Sequence, residues 1–140
     1  MIDSGMVKLL LLFTAGGIGT LLRYTVNHWT RELVQGTLAE TVHVWTIIVN
    51  VLGCFLIGLL TPVLTQQLEV REEWRLAILV GLLGGFTTFS TFGFELLGLI
   101  EKGHGVRAGV YALSSVGLGL GAVWLGWTLA GRIGAISGGG

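Results

Sequence analysis

Residues 81–95 read GLLGGFTTFSTFGFE, and apolar runs flank them on both sides. Two adjacent glycines, three threonines, a serine and four phenylalanines share this one stretch. An ordinary packed helix is not built this way. Gly84 and Gly85 weaken the helix, and Thr and Ser compete for its backbone groups. In lipid, irregular backbone survives only where protein or a water-filled cavity surrounds it. The stretch is therefore either a tight helix interface or the lining of a permeation path. The rest of the chain favours the second.

The chain has 140 residues, 52% of them hydrophobic and 11% charged. Its mean hydropathy is +0.82. That places it in the membrane class, because a soluble domain this short could not hide so much apolar surface in one core. Glycine occurs 24 times and proline once, at Pro62. Glycine without proline suits helices whose backbones approach closely in a bilayer. The formal net charge is zero, which gives no basic footprint for nucleic acid. Cys54 is the lone cysteine and reads as a small packing residue, so no disulfide framework is expected. The apolar run near the N-terminus lacks a small-residue cleavage site and reads as a retained span.

Four spans are expected, at about 7–27, 45–64, 75–100 and 107–129, each near the length that crosses ~30 Å of hydrocarbon. In the first, Ala15 and Gly19 stand four apart, as do Gly16 and Thr20, which marks a close-packing face. Arg23 ends its apolar run, as a snorkelling cation or as a cation at a vestibule mouth. Residues 28–44 read as a polar, solvated loop; His28 and His43 within it show no metal-ligand spacing. In the second span Asn50 shares a face with Gly53, Cys54 and Ile57, so that face meets a helix or a pore rather than lipid. Trp29, Trp45 and Trp74 fall near span ends, as an aromatic belt does. The chain reads as one membrane domain with a disordered tail at 132–140.

Four spans put both termini on one side. Lys8, Arg71, Arg75 and Arg132 belong to that side, and Arg23, Arg31, Lys102 and Arg107 to the other, four against four. Orientation follows an excess of Lys and Arg, and here there is none. Insertion in both senses is expected, and two copies could then pair head to tail about an axis in the membrane plane.

The polar groups within the spans do not suit catalysis. The spans carry no His–Asp–Ser set, no metal-ligand cluster and no carboxylate pair at one depth, and the chain does not read as an enzyme. Gly117, Gly119 and Ala122 match a dinucleotide-binding spacing, but no strand precedes them. Transport suits the groups better. Asn50, Thr87, Thr88, Ser90, Thr91, Tyr111, Ser114 and Ser115 are neutral hydrogen-bonding groups. Phe89 and Phe92 stand three apart on one face, either as core packing or with their positive ring edges turned to an anion. Neutral donors could replace the water of a small hydrated anion without holding it too tightly for release. Carbonyls freed at a helix break coordinate hard cations such as Na+. Glu95 is the one acidic residue well inside a span. It supports a competing reading, a small dual-topology proton-coupled exporter of cationic compounds. A purely structural subunit would leave the polar stripe unexplained.

GGFTTFSTF, together with Asn50 upstream and GTLLRY in the first span, resembles the Fluc (CrcB) family of fluoride channels. The likeness extends over nearly the whole chain. It implies an all-α, four-span protein with a break in the third span, working as an antiparallel, dual-topology homodimer in the cytoplasmic (inner) membrane of a bacterium. It implies two parallel pores that let toxic fluoride leave passively, and one central sodium ion. On the matching residues it implies Phe89, Phe92 and Asn50 as pore lining, and Thr88, Tyr111 and Ser115 as hydroxyls of a polar track. The carbonyls of Gly84 and Thr87 would hold sodium. Arg23 matches the family's first-span arginine and Glu95 its third-span glutamate. One departure stands out: Gly119 occupies a position where some members carry a further serine. Residues 28–44 also form a long first loop for the family.

Overall fold

The computed structural model describes residues 3–137 and is helical almost throughout. Helix α1 is Ser4–Val34. Helix α2, Val44–Pro62, runs on into a wider π-helical stretch, Val63–Gln67. Helix α3, Glu72–Arg75, continues as a π-helical stretch, Leu76–Leu82, and then as α4, Leu83–Phe86. Helix α5 is Phe89–Glu101 and α6 is Gly105–Ser137. Among the described residues, four helical stretches are long and apolar enough to cross a membrane: Ser4–Val34, Val44–Gln67, Glu72–Glu101 and Gly105–Ala135.

Two regions differ from what the sequence predicts. Residues 28–34 are helix rather than loop, because nothing between Arg23 and Gly36 breaks the turn and His28 pairs with Glu32 at 3.4 Å across it. Gly36, at φ 75°, ends the run. The polar connection then shrinks to a few residues closed by a 3-10 turn, Glu40–Val42. At the other end, α6 carries on through residues 132–137, where a disordered tail is predicted. The Gln67 side chain docks there: its Nε2 donates to the Ala130 carbonyl at 2.7 Å and stands 2.8 Å from where a Cβ on Gly134 would be. Residues 138–140 of that tail lie outside the described residues.

Packing follows the small residues. Helix α1 lies against Leu76–Leu82 and α4, while α2 lies along α6. A Cβ on Gly81 would sit 3.0 Å from the Ala15 Cβ, and one on Gly19 would sit 2.9 Å from the Phe86 nitrogen. The α2–α6 crossing is closest at Gly58 and Gly126, each facing backbone of the opposite helix. Ile47, Phe92, Leu99, Ala108 and Tyr111 form a buried cluster where α2, α5 and α6 meet. Side chains such as Phe13 and Leu113 point outward, as lipid-facing residues do. Close backbone approach has to supply the cohesion here, since lipid gives helices little hydrophobic reason to associate.

Gly126→Ala tests that packing. The new Cβ would lie 2.7 Å from the Leu59 nitrogen, which cannot move aside as a side-chain tip could. The variant should lose about 1–3 kcal/mol of stability, as overpacking does. Thermal unfolding in detergent checks this, with Gly131→Ala, which meets open space, as the silent control.

Candidate functional site

Helix α4 ends at Phe86 and α5 starts at Phe89. Between them Thr87 (φ −87°, ψ 162°) and Thr88 (φ −152°, ψ 115°) are extended. Extended backbone in a span must find other partners for its N–H and C=O. Asn50 on α2 supplies both for Thr88. Its Oδ1 accepts from the Thr88 N–H at 2.8 Å, and its Nδ2 donates to the Thr88 carbonyl at 3.0 Å. In an unbroken helix that N–H would donate to the carbonyl of Gly84. Arg23 on α1 donates from Nη1 to the Thr87 carbonyl at 3.2 Å. The Thr88 hydroxyl oxygen caps α5 by accepting from the Thr91 N–H at 3.2 Å, and its own proton goes to Thr91 Oγ1 at 2.9 Å.

A groove of about 340 Å³ runs along this junction. Asn50, Thr87, Thr88, Phe89, Phe92 and Ser115 line it, with Gly84 and Cys54. The Phe89 and Phe92 rings lie 5.7 Å apart and tilted. Phe92 is buried, whereas Phe89 is 84% exposed at the open side of the groove. The Ser115 hydroxyl oxygen is shielded and has no protein partner, so it is free to serve a guest. The groove lining includes no charged side chain; Asn50 keeps one Nδ2–H and Ser115 its hydroxyl, while the N–H and O–H of Thr88 are both taken.

Other expected residues go elsewhere. Tyr111 is fully buried behind Phe92, with ring centroids 5.1 Å apart, and its hydroxyl donates to Glu95 Oε2 at 2.7 Å. Ser114 turns back to the Val110 carbonyl of its own helix. Ser90 is exposed. Thr91 and Glu95 line a second, larger cavity of about 580 Å³ with His28, Arg31, His43 and Trp45. Arg23 lines a third, next to Arg31 and Asn27. At Gly119, where the resemblance allows a serine, the Cys54 sulfur fills the space, 3.4 Å from where a Cβ would be.

Sequence patterning missed the surroundings of Glu95. Trp45 is buried, not part of an interfacial belt, and its Nε1 donates to Glu95 Oε1 at 2.9 Å. His43 packs edge-on to Trp45. Burial holds the His43 imidazole below its usual value of 6.5, against the opposing pull of the Glu95 charge, and Arg31 and Lys102 push it the same way as burial. No spacing rule links these residues, since they come from three separate helices and a turn.

A family model described as CrcB-like protein, Camphor Resistance (CrcB), matches residues 10–127. The chain belongs to the CrcB-like family. Curated CrcB-like relatives agree along nearly their full length. One from Acidobacterium capsulatum is 42% identical over 127 residues, covering 91% of this chain and 98% of its own. One from Rhizobium leguminosarum bv. trifolii is 41% identical over 122 residues, covering 86% and 94%. One from Solibacter usitatus is 40% identical over 126 residues, covering 90% and 100%. All three are named fluoride-specific ion channel FluC. A CrcB-like chain with four such helices is a multi-pass membrane protein.

Asn50→Leu should strand both backbone groups of Thr88 at the junction. A loss of about 1–3 kcal/mol is expected on unfolding in detergent.

Proposed function

We propose that this chain is a passive, selective fluoride channel that exports fluoride across the bacterial inner membrane. The observation that carries the proposal is the groove at the α4–α5 junction, where Asn50 and Ser115 keep donors and share the lining with the Phe89–Phe92 ring pair, without a charged wall. A fluoride ion leaving water needs short, strong donors in place of its hydration shell. Amide and hydroxyl groups, and the positive edges of the rings, offer these at a strength that still permits release. The names of the curated relatives point to the same ion.

The working unit we propose is an antiparallel homodimer with two pores. In one chain the groove is open on the side of Phe89, so a second copy would close it. The balance of four Lys and Arg on each side supports insertion in both senses. The sodium ion implied by the resemblance suits the donors at the junction in chemistry. Carbonyl oxygens are hard ligands, and the one on Gly84 has lost its Thr88 donor to Asn50. The Thr87 carbonyl keeps a second lone pair beside the Arg23 bond. Two such carbonyls from each of two copies would hold the ion on the dimer axis, where it would supply fixed positive charge.

The exporter reading needs a carboxylate that exchanges protons with a chamber. Against it, both Glu95 oxygens are bonded within the protein, to Trp45 and to Tyr111.

Reconstitution tests the proposal. In liposomes under a potassium diffusion potential, the protein should release fluoride rapidly and retain chloride. Phe92→Ile, which keeps bulk and removes the ring edge, should slow fluoride release at least about tenfold. Undiminished release from that variant would count against the ring-edge role, and no fluoride release from the parent protein would sink the channel.

A further inference from the structure

A carboxylate is an awkward neighbour for an anion path. Glu95 stands three residues after Phe92, on the same face of α5, and lines the large cavity with Thr91 and Phe94. Its side chain is 9% exposed. Nothing in the groove neutralises it, but the cavity wall does. Tyr111 takes one oxygen. Trp45 takes the other, and the Trp45 ring is itself held in place on two sides. The Arg31 guanidinium lies 4.7 Å over the ring, and the His43 ring meets it edge-on at 5.2 Å. The same guanidinium comes within 3.9 Å of Glu95 Oε1. Arg31 thus touches both the carboxylate and the group that donates to it.

We propose that Trp45 and Arg31 form a latch that pins the Glu95 carboxylate to the cavity wall and cancels its charge, keeping it off the route of the anion. The inference rests on the channel reading. Trp45 and Arg31 act through Glu95 and are positioning residues. The other charged groups around the cavity are already engaged or more distant. Glu32 pairs with His28, and Glu40 accepts from the Gly36 N–H. Lys102 lies beyond the end of α5. His43, held neutral by burial, contributes its ring and not a charge at pH 7. Release of the carboxylate would raise the barrier for an anion by Coulomb repulsion in a medium of intermediate dielectric. Loss of a hydrogen bond to a charged group has the same sign.

The test measures initial fluoride efflux from liposomes holding the purified full-length protein. Trp45→Phe keeps the ring and removes the donor. It should slow efflux about tenfold when Glu95 is present. In the E95Q background, whatever its own rate, the same substitution should change efflux less than about twofold, since no charge is left to pin. An equal slowing in both backgrounds would mean that Trp45 only packs, and the latch would be overturned. Arg31, whose side chain is more than half exposed, gives a second variant that leaves the core untouched. Arg31→Gln should slow efflux severalfold with Glu95 and not with E95Q; no slowing in the first case would overturn the proposal. A parent protein that releases no fluoride would remove the channel reading itself, a result distinct from any difference among the variants.

Discussion

Everything near the junction depends on one side chain satisfying the two backbone groups of one residue. The Thr88 N–H and C=O are extended and lie inside a span, where water does not offer a partner. Asn50 is the side chain with a donor and an acceptor at the right separation to serve both. The bond pair fixes α2 against the junction, and it frees the Gly84 carbonyl that an uninterrupted helix would have used. It also sets where α5 begins, because Thr88 can then turn its hydroxyl oxygen to cap the new helix. Phe89 and Phe92 take their positions from that start.

The two cavities divide the electrostatic work. Uncharged residues line the junction groove, and charged ones line the wider cavity around Glu95. Fixed charge is useful where water still screens it and costly where it does not. The tight glycine contacts of α1 with α4 and of α2 with α6 let so short a chain hold this arrangement with little buried volume.

Much of the site was legible because its residues break the local pattern. An asparagine, a run of threonines and paired phenylalanines three apart are conspicuous in apolar sequence, and a period of 3.6 puts them on faces. What they bond to was not legible. Asn50 and Thr88 are 38 residues apart, and no propensity or spacing encodes that meeting. Trp45 illustrates the limit: its place in the sequence matches an interfacial belt, while it is buried against Glu95 of α5 and Arg31 of α1. Arg31 falls where polar composition predicts a loop, although nothing before Gly36 breaks the helix. The glycines of the tail predict disorder, and the Gln67 contact to α6 at Ala130 is again long-range.

The π-helical stretch Leu76–Leu82 lies between the charged start of its span and the junction. Such a stretch winds more residues into each turn than an α-helix does. Removal of a residue within it would tighten the winding back toward α-geometry and could leave α4 facing α1 as before. A residue lost from α4 has no such slack, and would swing the threonines and phenylalanines by about 100° around the axis. A single deletion is therefore absorbed more readily within Leu76–Leu82 than in α4.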